Sequence, residues 1–421
     1  MRFALPVIAA ALVSTAAFAQ PVEVAPLAAP DVFSGGSRDT GLGDDLWRGA
    51  SADLARSLIP AIDPARLTPA GKALAVRLLS TGANAPDGAG NDLALAAARG
   101  RALLKLGEPG AANAAVERIP HLATEPALAE AAADAALLTG APYRACRIEQ
   151  NLTADRGAIY WLRLRGFCQA IAGDTAAAQL SLTLAAEKAR DPVFSRLMTA
   201  VLVGGEAGAA STRTPLETAL SRRLGLISAP AAPAPPVVMV PDGLLTTDPV
   251  AAARLYLAAG DLDQARALRA AMTQDVVPGA QPGDLDLLDA ALAAASGQGR
   301  DTVLDTLVGR GQVGNRSAQL ASLYLAALGT PMDAEARADF AGFDLGRSAA
   351  PPARLAALQM AADHGLKGET ALLALGIAGS AGKEGLSPAD RAAVIRALTR
   401  AGLAEDARAF AVEGVLALPR K

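Results

Sequence analysis

The stretch Leu255-Tyr256-Leu257-Ala258-Ala259-Gly260-Asp261-Leu262-Asp263-Gln264-Ala265 decides the fold class. An apolar helical run stops at Gly260, which lacks a Cβ and so suits the left-handed conformation that closes a helix. Asp261 follows as a cap for a second helix. Ala265, one turn into it, is small enough for the two helices to cross closely. The segment reads as helix, tight corner, helix.

The same plan recurs along the chain. Corners fall at Gly107, Gly140, Gly173 and Gly205, at intervals of 33, 33 and 32 residues, and at Gly260, Gly297, Gly329, Gly365 and Gly402, at intervals of 37, 32, 36 and 37. Five positions past each corner stand Ala112, Ala145, Ala178, Ala210, Ala265, Ala334 and Ala407, with Thr302 and Thr370 as the exceptions. One hairpin of about 33 residues cannot bury its apolar face alone, so successive hairpins must stack. The expectation is an all-α chain, an α-solenoid of stacked antiparallel helical hairpins. Composition agrees: 52 % of residues are hydrophobic but only 3 % aromatic, and alanine, the best helix former, is abundant.

The Tyr256, Gly260-Asp261 and Ala265 pattern resembles the tetratricopeptide (TPR) repeat, with its aromatic in the first helix, Gly-Asp turn and alanine in the second. The likeness is good there and fair around Gly173 and Gly402. Most hairpins lack the Trp-x-x-Leu-Gly opening and the closing proline, so the resemblance is TPR-like. The region from Trp161 to Cys168 is similar to Ala-rich secreted proteins of α-proteobacteria, some of which carry an antifreeze label. Ice binding asks for regularly spaced threonines on a flat exposed face, whereas the threonines here are scattered and the apolar periodicity asks for helix packing. Ala-rich superhelices also resemble the non-catalytic domain of soluble lytic transglycosylases, which implies an accessory or degenerate enzyme of peptidoglycan metabolism as an alternative function. Such enzymes append a lysozyme-like domain with a catalytic Glu, but here the hairpin register continues to Lys421.

Residues 1–19 read as a secretory signal: Arg2 is the positive n-region, residues 3–13 the apolar h-region, and Ala17-Phe18-Ala19 the small-x-small site, with cleavage between Ala19 and Gln20. No later apolar run is long enough to span a bilayer. A periplasmic, exported protein with no integral span is expected. Residues 20–45, rich in Pro, Gly and Ser, read as a disordered leader. Residues 46–227 form a first helical array and residues 244–421 a second. Between them, residues 228–243 carry Ala-Pro-Ala-Pro-Pro and Val-Val-Met-Val-Pro, an extended Pro-rich linker whose apolar half is expected to lie against the solenoid. Residues 60–92 show helix signals but fall outside the repeat register.

Cys146 and Cys168 are the only cysteines, and an oxidising compartment permits their disulfide. Their midpoint, Gly157, falls in a loop joining the second helix of one hairpin to the first of the next, which puts both at one height. Tyr143, Tyr160, Trp161 and Phe167 crowd the same region. Tyr160, Leu164, Phe167, Cys168 and Ile171 share a helical face that reads as aromatic core. Arg163 and Arg165 flank it and could reach an acidic partner, although exposed arginines usually just solvate a helix.

No catalytic constellation emerges. Gly309-Arg310-Gly311-Gln312-Val313-Gly314 matches a dinucleotide fingerprint, but helical surroundings replace the βαβ unit it needs, and its place midway between Gly297 and Gly329 suits an inter-hairpin loop. Gly379 to Lys383 lacks the spacing of a phosphate loop. His121 and His364, the only histidines, leave little room for a triad or a zinc site. Asp284, Asp286 and Asp289 suit the polar side of a helix around Leu285, Leu287 and Leu288. A net charge of −3 gives no footprint for nucleic acid. No catalytic, metal or cofactor-binding residue is expected. The expected role is that of a non-enzymatic scaffold or adaptor holding a protein or peptide of the cell envelope on a concave solenoid face, with a structural spacer lacking a specific ligand as a further alternative.

Overall fold

The computed structural model describes residues 31–229, 239–272, 277–382 and 384–420. All nine corner glycines have positive φ, from +66° at Gly365 to +99° at Gly205. Each follows the first helix of a pair. After α1 (Ala52–Leu58), a 3-10 turn (Pro64–Arg66) and α2 (Pro69–Ser80), the pairs are α3 (Leu93–Lys105) with α4 (Pro109–Val116), α5 (Pro126–Leu138) with α6 (Pro142–Asn151), α7 (Ile159–Ile171) with α8 (Thr175–Lys188), and α9 (Pro192–Val203) with α10 (Pro215–Arg223). A one-turn α11 (Leu244–Thr247) opens the second half. It leads to α12 (Pro249–Ala258) with α13 (Leu262–Ala271), α14 (Asp284–Ser296) with α15 (Arg300–Gln312), and α16 (Arg316–Ala327) with α17 (Ala334–Ala341). The last pairs are α18 (Pro352–Asp363) with α19 (Lys367–Ala381), and α20 (Pro388–Arg400) with α21 (Ala404–Leu416). The described residues form an all-α stack of helical hairpins.

The alanine register has a simple geometric rule. Where the second helix starts two residues after the glycine, the residue five past it is fully buried: Ala112, Ala145, Ala178, Ala265, Thr370 and Ala407 are all 0 % exposed. After Gly205, Gly297 and Gly329 the helix starts later, and Ala210, Thr302 and Ala334 turn out to solvent. Asp174 and Asp261 cap their helices as expected, accepting the amides of Ala177 and Gln264.

Neither half stays an open solenoid. In the first, α10 returns to pack on α5. In the second, α12, α14 and α16 lie side by side, and α21 lies across all three. The face a solenoid offers to a ligand is thus filled by the chain's own last helix.

Contacts also run across the division at residues 46–227. α1 and α2 pack on α19, and α2 also on α21, so the first helices belong partly with the last hairpins. Thr68 does not cap α2; Glu413 of α21 accepts the Ala70 amide instead, at 2.9 Å. Gly368 donates its amide to the Leu46 carbonyl at 2.9 Å, and any Cβ there would sit 2.5 Å from the Trp47 ring. These contacts explain why residues 60–92 fall outside the register: they join the two ends of the chain rather than extend the stack.

Of the expected disordered leader, residues 20–30 lie outside the described residues, and residues 31–45 are ordered. Val32, Phe33 and Leu42 are buried, and the Phe33 ring meets Trp47 edge-on at 5.7 Å. A few well-placed apolar residues outweigh the Pro/Gly-rich context. The signal segment, the cleavage site at Ala19 and Gln20, and residues 230–238 of the linker also lie outside the described residues. Of the linker's apolar half, Met239, Val240 and Pro241 are described: Met239 is 84 % exposed and Pro241 exposed, while Val240 is half-buried.

Candidate functional site

The disulfide forms as expected. Cys146 of α6 and Cys168 of α7 are joined, with 5.5 Å between their Cα atoms. Closing a loop of this length stabilises by roughly 3 kcal/mol in the chain-entropy model. Around it, Leu164 and Phe167 are core, as the apolar spacing predicted, and Trp161, outside that spacing, is buried as well. The Tyr160 hydroxyl donates to Asp134 at 2.8 Å. Burial raises the Asp134 pKa to about 7 and lifts that of Tyr160 well above its ordinary value. Arg165 and Arg163 are not solvating charges. Arg165 donates to the buried Glu149 at 2.7 Å, and Arg163 pairs with Asp191 and lies over the Phe194 ring.

Tyr143 departs from the aromatic core: it is 68 % exposed. The cause is helical phase. Ala145, Cys146 and Glu149 form the buried stripe of α6, so Tyr143, Arg147 and Gln150, at i, i+4 and i+7, face outward together. They border two adjoining clefts. One, of about 650 Å³, has half-buried Ile171 on one side, with Leu137 and Phe167 buried behind it, and is lined also by Arg222 and Arg223 of α10. The other, of about 250 Å³, runs past the disulfide to Arg147 and Gln150. Tyr143 and Ile171 are common to both.

The return of α10 builds this site. Arg222 donates to the carbonyls of Leu137 and Leu138, at 3.0 and 2.9 Å, closing the last turn of α5. Burial lowers the Arg222 pKa, and no carboxylate opposes that shift.

A third cleft, of about 790 Å³, lies where α2, the α12–α13 corner, α14 and α21 meet. It is larger and lined mainly by alanine and aliphatic side chains. Its charged groups are already engaged: Glu413 with Arg391 and the Ala70 amide, Glu405 with Arg77, and Arg408 with the Ala404 carbonyl. At the two adjoining clefts the side chains of Tyr143, Arg147, Gln150 and Arg223 have no hydrogen-bond or ion-pair partner among the described residues. Groups free to bind something else mark the better candidate.

No family model, curated protein or solved structure matches this chain.

The remaining motifs fall into the fold. Gly309 and Gly311 sit within α15 and only Gly314 lies in the following turn, so most of the fingerprint is helix rather than the expected loop. A Cβ at Gly311 would meet the Phe343 ring at 2.6 Å, which accounts for that glycine by packing. Asp286 and Asp289 pair with Arg310 and Arg269, while Asp284 is buried and holds Arg420. Among the described residues no group of His, Cys, Asp and Glu could hold a metal ion, and no helix is long and apolar enough to cross a membrane.

Proposed function

We propose that this protein is a non-enzymatic scaffold of the cell envelope that holds a peptide segment of a partner in the cleft beside its disulfide. The observation that carries the reading is the outward stripe of Tyr143, Arg147 and Gln150, which borders an open cleft while its side chains take no part in holding the fold. An exposed aromatic over an apolar wall, with unengaged donors around it, is the composition of a recognition surface rather than of a catalytic one. The disulfide and the Arg222 cap fix α6, α7 and α10 around the cleft, which limits the ordering a ligand would have to impose.

The test is a photo-crosslinking residue placed at Tyr143 in intact cells, with the same residue at the exposed Asp263 as control. A discrete adduct from position 143 alone is expected. No adduct, or the same pattern from both positions, removes the reading.

A further inference from the structure

We infer that the cleft beside the disulfide takes an acidic peptide segment, one that carries Asp or Glu residues on either side of a bulky apolar side chain. This rests on the scaffold reading and names its ligand class.

The argument is one of charge matching. On α6, α7 and the loop between them, Arg144, Arg156, Arg163 and Arg165 each face a carboxylate of this chain: Glu117, Glu149, Asp191 and Glu149 again. Arg147, Arg222 and Arg223 face none, and these are the three that line the two clefts. No carboxylate lines either cleft. In a chain with 42 acidic and 39 basic residues, three arginines gathered without a counter-charge make a local positive field in an acidic molecule. That field suits an acidic partner and disfavours a basic one.

The shape narrows the class further. Tyr143 stands between the clefts, with Arg147 lining one side and Arg222 and Arg223 the other. A ligand reaching both needs carboxylates separated along a chain. Half-buried Ile171 and the exposed Tyr143 ring, common to both clefts, offer a place for one apolar side chain. The linker segment 230–238, which follows Ala229 at the cleft edge, contains no charged residue and so does not meet the arginines' requirement.

The experiment selects displayed nonapeptides on the disulfide-intact mature protein, with the Arg147→Gln/Arg223→Gln double variant for counter-selection. Both side chains are exposed and hold nothing in place, so the variant should melt with the parent. Enriched sequences should carry two or more Asp or Glu flanking an aromatic or aliphatic residue. Synthesised and measured by fluorescence anisotropy, they should bind the double variant at least ~10-fold more weakly and lose affinity as salt rises. Asn/Gln replacement in the peptide should cause a similar loss. Enrichment of neutral or basic peptides, equal binding to the variant, or displacement by inorganic phosphate as readily as by peptide would overturn the ligand class. If a crosslink from position 143 captures a partner while the selected peptides are neutral, the class falls and the scaffold reading stands. If position 143 crosslinks only to residues 230–238 of its own chain, both fall.

Discussion

At Arg99 a guanidinium is almost fully buried and its partners are carbonyl oxygens rather than a carboxylate. It donates to Leu79 at 2.7 Å, Thr81 at 2.7 Å, Gly35 at 2.9 Å and Phe33 at 3.1 Å, and lies over the Phe33 ring. Burial lowers its pKa to about 10, so it remains charged at neutral pH. One side chain thereby ties the ordered part of the leader to the end of α2 and the middle of α3. Arg99→Met keeps the stem but leaves these carbonyls without their donor, and should destabilise by roughly 3–5 kcal/mol in urea unfolding. A loss under about 1 kcal/mol would mean the leader is held by Phe33 and Trp47 packing alone. Asp134 gives a pH signature instead. Its carboxyl is raised by burial from 3.8 to about 7, so the folded state prefers it protonated. Its contribution is complete below the unfolded value and is lost as pH rises through the folded one. Asp134→Asn can still accept from Tyr160 but cannot ionise. The variant should exceed the parent by roughly 1–3 kcal/mol at pH 8 and show no advantage near pH 3.5. Parallel stability-pH curves for the two proteins would contradict this.

Among the elements, what was legible in the sequence was whatever nearest neighbours in the chain decide. A corner glycine closes its own helix, and an alanine five residues on packs against the helix just finished, so both leave a countable interval. The disulfide was legible for the same reason, because Cys146 and Cys168 flank one loop. Contacts between distant parts left no such trace. Glu413 capping α2 and Gly368 admitting Trp47 involve residues more than three hundred positions apart, and no local period reports on either. The exposed stripe of α6 was within reach: Tyr143, Arg147 and Gln150 stand at helical spacing opposite Ala145 and Glu149. Grouping Tyr143 with the aromatic core by proximity in sequence, rather than by phase, concealed it. Its arginine partners on α10 were not readable, since only the return of α10 to α5 brings Arg222 and Arg223 across from α6.

For the molecule as a whole, the filling of the second array by α21 makes the chain's end part of its structure. Arg254 of α12 donates to the carbonyls of Leu416 and Leu418, and Ser317 of α16 to that of Pro419. Arg420 then reaches Asp248 at 2.7 Å, Asp284 at 2.9 Å and the Gly279 carbonyl at 2.8 Å. Burial alone would raise the Asp248 pKa, but its bonds from Arg420 and the Ala251 amide outweigh that and hold it below the ordinary value. Asp284 is 1 % exposed, and Arg420 is its ion-pair partner. Arg420→Ala should lower stability by roughly 2 kcal/mol at neutral pH, less than a fully buried pair because Arg420 keeps partial contact with water. Asp284→Asn in the same chain should recover much of the loss by removing the stranded charge. Hydrogen exchange supplies the structural readout: amides of α12, α14 and α21 should lose protection together, because the tail pins α21 onto the first helices of the array. Exchange confined to the last few residues, with stability unchanged, would show instead that α21 is held by its apolar face alone and that Arg420 merely rests against the array.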